Sequence, residues 1–115
     1  MPHPFDEFRK SSVKRNVAEK FKHLIDIVEI FNSRTFNPEY NRMAEEFAGI
    51  NNIAVSVGSD AHHPFEYANA YVLMEDFDGA ESFLENMKRA MLIARKCPFI
   101  LRAYIKVLKL LTGKN

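Results

Sequence analysis

The segment Ile53–Val57 (IAVSV) constrains the fold more than any other stretch of the chain. Ser56 is its one polar residue, and Ile53, Val55 and Val57 are β-branched. Such a run suits a strand covered on both faces, as in a parallel sheet lying under helices. Two further segments read as strands: Asp26–Phe31 (DIVEIF) and Asn69–Met74 (NAYVLM). Helix signals fall between them. Asn16, with Glu19 three residues on, predicts a capped helix with Val17, Phe21 and Leu24 on one face and Ile25 beside them. Asn37-Pro38 predicts a second helix start, with Met43, Ala44 and Phe47 as its apolar stripe and Gly49 at its close. Asp78 and Glu81 predict a third helix, running to about Ala94 with Phe83, Leu84, Met87 and Met91 inward. Pro98 separates it from a last helix, Phe99–Leu111. Alternating strands and helices predict an α/β fold with parallel strands. About three strands make a small sheet whose exposed edges need covering.

The chain is long enough for one domain: 115 residues, 47% hydrophobic and 27% charged. Sixteen basic and fifteen acidic residues leave a formal net charge of +1. That balance makes no electrostatic case for nucleic acid or membrane as the main partner. No apolar run reaches membrane-spanning length. The N-terminus lacks the basic and apolar regions of a signal peptide, and one cysteine, Cys97, suits a reducing cytoplasm. A single cysteine also excludes an intrachain disulfide and a cysteine-based zinc cage.

Functional groups in α/β folds gather at the carboxyl ends of strands. Asp60 and His62 follow Ile53–Val57, and residues two apart on an extended chain project to one side. A carboxylate and an imidazole there can converge on a cation, with Gly58 allowing a tight backbone path. That donor pair suits zinc, manganese or iron better than calcium. Asp and His are also common turn residues, and His63 is an alternative ligand.

The stretch VSVGSDAH resembles the last metal motif of the PHP family, the polymerase and histidinol phosphatase domains. His3-Pro4-Phe5-Asp6-Glu7-Phe8-Arg9 resembles the family segment in which a histidine before proline ligates metal. DIVEIFNSR, from Asp26 to Arg34, resembles the strand that follows, and NRMAEEF, from Asn41 to Phe47, the helix leading back to GSDAH. The segments keep the family's order over residues 3 to about 95. The resemblance implies part of a (β/α)7 barrel, with a divalent metal site at the strand ends and phosphate-ester hydrolysis as its activity. It places His3, Asp60 and His62 at ligand positions. Arg9 and Arg34 become candidate contacts to substrate phosphate, through guanidinium geometry, or else solvated loop charges. Glu29 and Asn32 stand near the strand's end, and His23 reads as structural.

The family's opening H-x-H motif, its further upstream histidines and its bridging glutamate have no counterpart here. The chain therefore reads as the C-terminal half of a small PHP domain. Residues 1–97 form the barrel segment and residues 98–115 an amphipathic C-terminal helix. The expected ligand is a phosphorylated small molecule or nucleotide. The expected partner is a second copy or the missing N-terminal half of the barrel. Arg102, Lys106 and Lys109 share a narrow face of Phe99–Leu111, and the wide apolar remainder predicts packing into the domain or into an oligomer. The competing expectation is a non-catalytic, oligomeric interaction module derived from such a domain.

Overall fold

The computed structural model describes residues 1–98 together with residues 100, 103, 104, 107 and 111. The described elements are α1 (Arg15–Phe21), a 3₁₀ turn (Lys22–Leu24), β1 (Ile27–Asn32), α2 (Pro38–Asn51), β2 (Ala54–Gly58), a second 3₁₀ turn (Pro64–Glu66), β3 (Ala70–Leu73), α3 (Ala80–Arg89) and β4 (Met91–Ala94).

The mixed α/β class holds, but the strands are only partly parallel. β1 pairs with β2 in parallel, and β3 pairs with β4 antiparallel, giving two separate two-stranded sheets. No closed barrel is formed among the described residues. Met1 lies along the free edge of β1. Its amino group donates to Ile27 O at 2.6 Å and its carbonyl accepts from Glu29 N at 3.0 Å, the pattern of a parallel bridge.

The core forms where α2 covers β1. Phe5, Ala18, Val28, Ala44, Phe47 and Ala48 make one buried cluster. Phe5 meets Phe47 edge to face, with ring centroids 5.6 Å apart. α2 starts as expected: Asn37 Oδ1 accepts from Glu39 N at 3.0 Å and Pro38 fills the first turn. It ends later than expected. The helix runs through Gly49 to Asn51, and Asn52 takes the left-handed conformation at φ 52°, its N–H returning to Ala48 O and Gly49 O. Asparagine is the commonest substitute for glycine there, because its short polar side chain tolerates that region.

Other boundaries also depart from the sequence reading. α1 begins at Arg15 after an extended Lys14, with no side-chain cap. Glu19, expected in a capping box with Asn16, instead approaches Arg15 at 3.9 Å and Lys22 at 3.7 Å. Val17, Phe21 and Leu24 are exposed, while Ala18 is buried. β2 is half-buried along its length rather than covered on both faces. The helix expected to reach Ala94 stops at Arg89, and Met91–Ala94 pairs with Ala70–Leu73 instead. Met91, expected in the core, is exposed, whereas Met87 is buried as expected. α3 starts one residue later than expected, with Gly79 rather than Asp78 at the N-cap; Ser82, not Glu81, closes the turn, its hydroxyl donating to Asp78 Oδ1 and accepting from Asp78 N and Gly79 N.

Most of the segment Phe99–Leu111 lies outside the described residues. Those that are described, Ile100, Ala103, Tyr104, Val107 and Leu111, are helical, and all are exposed. Packing of this apolar stripe into the domain is therefore not what these residues show. No helix among the described residues is long and apolar enough to cross a membrane.

Candidate functional site

The site begins with a bulge. β1 and β2 stay in register from Ile27↔Ala54 to Glu29↔Ser56 and resume at Phe31↔Val57, leaving Ile30 as an extra residue. Residues three apart on a regular strand point to opposite faces. The bulge removes that opposition, and Asn32 Nδ2 donates to Glu29 Oε2 at 3.3 Å. Glu29 also accepts from His3 N at 2.5 Å. Its other oxygen lies over Gly58 so closely that a Cβ there would sit 1.7 Å from it. A side chain at position 58 would therefore displace the Glu29 carboxylate from its place over the backbone.

Asn32 passes the network on. It is buried, and its Oδ1 accepts from Arg34 N at 2.9 Å and from Arg9 Nη2 at 3.2 Å. Arg9 Nε donates to Asp6 Oδ2 at 3.0 Å, and Arg9 Nη1 forms a close ion pair with Asp60 Oδ2 at 2.5 Å. Burial works against the Arg9 charge, but the Asp60 and Asp6 carboxylates outweigh it and hold the guanidinium pKa above its usual value.

Asp60 has φ 50°, a left-handed conformation outside glycine, and His3 has φ 27°. Aspartate visits this region more readily than most residues, yet the conformation persists only where its surroundings enforce it. Two residues on, His62 Nδ1 lies 2.7 Å from Asp60 O. A carbonyl accepts, so Nδ1 carries the proton in the neutral ring and Nε2 keeps its lone pair, as in histidines that bind metal. His3 reaches the network through its backbone, and its buried Nδ1 has no hydrogen-bond partner among the described residues.

Glu66 fixes the loop from below. It is fully buried, and its Oε2 accepts from His62 N at 2.8 Å, His63 N at 3.0 Å and Arg34 Nη1 at 3.2 Å. Its Oε1 accepts from Cys97 Sγ at 3.3 Å. Burial opposes its ionisation, but the donors from His62, Cys97, Arg34 and His63 prevail and hold the carboxyl below its ordinary range.

These contacts create a cleft of about 270 Å³ lined by Asp6, Phe8, Arg9, Arg34, Phe36, Asp60 and His62. Of the residues singled out from sequence, Arg9, Arg34, Asp60 and His62 come together there. His3 does not line the cleft; it joins through Glu29 and Asn32. His63 stacks on Phe65, and His23 is exposed. No group of three or more His, Cys, Asp or Glu side chains converges as a metal cage among the described residues. The donor chemistry still fits part of such a set: a carboxylate, an imidazole with its Nε2 lone pair available, and the unpartnered His3 Nδ1.

Sequence reasoning passed over Asp6 and Glu66. Asp6 gives no separate signal. Glu66 gives one, since Pro64 at a first helical position with a glutamate two residues later, after His63, has the form of a helix start closed by its own carboxylate.

Residues 38–91 match the family model described as PHP-associated. An uncharacterized protein of Methanocaldococcus jannaschii is 41% identical over 81 residues, which cover 68% of this chain and 34% of that relative. The chain thus spans about a third of the length of the relative it matches. No solved structure matches. The GSDAH loop and the strand before it fall inside the family match, so residues 38–91 carry the likeness to the PHP-associated family.

Proposed function

We propose that the chain supplies the C-terminal side of a PHP-type (β/α)7 barrel and acts in metal-dependent hydrolysis of phosphate esters. The observation that carries this reading is the cleft in which Arg9, Arg34, Asp60 and His62 meet. Two guanidiniums beside a carboxylate and an imidazole suit a phosphoryl group next to a cation. His3, Asp60 and His62 are the residues that would hold a divalent ion of the zinc, manganese or iron class, with further ligands coming from a second copy or from the rest of the barrel. When bound, such an ion supplies a water that ionises near neutral pH.

The chain's own residues do the rest. Arg9 stays cationic because Asp6 and Asp60 favour its charge. Asn32 and Glu66 orient Arg34, one through its backbone and one through its guanidinium. Together the two arginines orient the phosphoryl oxygens and neutralise the charge that grows on them. Asp60 O and Glu66 fix the His62 ring and backbone. Reducing conditions suit Cys97, consistent with a cytoplasmic protein.

The test is hydrolysis of p-nitrophenyl phosphate with added manganese or zinc, for the wild type and for Arg9→Lys and Arg34→Lys. Turnover that falls by about tenfold or more in each variant supports the reading, because lysine keeps the charge but loses the bidentate fork. Unchanged turnover in both variants removes the arginines from the site.

A second reading is a non-catalytic oligomeric module. The exposed apolar residues Ile100, Tyr104, Val107 and Leu111 favour it. Metal retained without turnover of any phosphoester would decide for the module.

A further inference from the structure

The N-terminal segment holds two residues in the left-handed region, His3 at φ 27° and Phe5 at φ 67°. That region is uncommon outside glycine and costly for a bulky residue such as Phe5. It persists only where the surroundings over-determine the backbone. Here the neighbouring segment Ser12-Val13 does so. Phe5 N donates to Val13 O at 3.0 Å, and the Phe5 ring is buried against Phe47. The Ser12 hydroxyl donates to His3 O at 3.0 Å. On the other side, His3 N donates to Glu29 Oε2. Two side chains thus grip both backbone polar groups of one strained residue. Ser12 N also donates to Arg9 O at 3.1 Å, so the same serine ties His3 to the turn that carries Arg9.

The grip serves a ring that the fold itself does not satisfy. His3 Nδ1 is buried without a hydrogen-bond partner among the described residues. A buried polar atom left unpaired is costly and marks a group that awaits a partner. We propose that Ser12 is a positioning residue for His3: its hydroxyl holds the strained backbone so that the imidazole is set for a divalent cation before one binds. The proposal rests on the reading of His3 as a ligand. A ligand fixed beforehand loses little freedom on binding, and residues that orient a metal ligand contribute about tenfold to a hundredfold in metal affinity. Serine suits the role because its hydroxyl donates to a carbonyl oxygen; threonine can do the same and valine cannot.

Calorimetric titration of the full chain with manganese alone tests this. Ser12→Val and Ser12→Thr share a shape and differ in the hydroxyl, so the pair isolates the hydrogen bond. Ser12→Val should weaken manganese binding by about tenfold, and Ser12→Thr should keep the wild-type affinity. His3→Ala should weaken it too, and adding Ser12→Val to His3→Ala should change nothing further. Ser12 is only half-buried, so all variants should keep the wild-type circular dichroism spectrum. A Ser12→Val protein that has lost its fold overturns the proposal, since the hydroxyl would then hold the domain together rather than one ring. Equal affinity in Ser12→Val and Ser12→Thr overturns it as well, while the ligand role of His3 stands if His3→Ala alone binds weakly. The same loss from Ser12→Val with and without His3 also overturns it, because the serine would then be structural. Wild-type affinity in His3→Ala overturns the reading of His3 as a ligand, and no manganese binding by the wild type overturns both.

Discussion

At the residue scale, Gly58 is where one methyl group tests most of the network. A Cβ there would force the Glu29 carboxylate away, although Glu29 is also held by His3 N and Asn32 Nδ2. Gly58→Ala should cost about 1–3 kcal/mol, as other overpacking changes do, and Gly58→Ala with Glu29→Ala should cost less than the two single changes summed. Urea denaturation of the four proteins measures this, and strict additivity would mean that the two residues do not interact. Glu66 sets the pH response. Its carboxyl is held below its ordinary range, so its contribution is present in full above the unfolded glutamate value of about 4.3. It is lost as the pH falls below that toward the folded value. Glu66→Gln should weaken the fold at neutral pH and flatten the acid limb of the stability curve. An acid limb identical to the wild type's would remove Glu66 from that role. Asp60 and His62 were legible in the sequence because a buried strand and a familiar motif lead straight to them. Asp6 was not, because its role arises from contacts that only the folded loop creates.

At the scale of elements, the signals that survived are local ones. β1 and β2 follow from short β-branched runs, and α2 starts at Asn37-Pro38 because a side-chain cap and a fixed φ act within one turn. β4 was hidden for the opposite reason. Phe83, Leu84, Met87 and Met91 keep helical spacing through Ala90, with no glycine or proline to mark a stop. The chain leaves the helix because Met91–Ala94 finds partners in β3, a pairing invisible to any local window. The bulge at Ile30 was equally hidden, since it is defined by the register with β2. The end of α2 offers a direct test of the cap. Asn52→Gly should stabilise the protein by a few tenths of a kcal/mol to about 1 kcal/mol, and Asn52→Ala should destabilise it by a similar amount. Thermal melts in which both variants shift the same way would contradict the left-handed cap.

At the scale of the whole molecule, apolar surface is exposed among the described residues. A groove of about 550 Å³ is lined by Met1, Val17, Phe21, Leu24 and Ile25 among others, and Ile100, Val107 and Leu111 are exposed on the described part of the last helix. Surfaces of this kind favour association. Size-exclusion chromatography with light scattering should therefore give a mass above the 13.3 kDa of one chain, and a stable monomer at high concentration would contradict the open surface. At the site, a carboxylate and an imidazole meet two arginines, and no full metal cage forms among the described residues. The most direct measurement is the metal content of the gently purified protein, by mass spectrometry, for the wild type and for Asp60→Ala with His62→Ala. Zinc, manganese or iron should accompany the wild type, and most of it should be lost in the double variant. Equal and negligible metal in both proteins would contradict the metal site.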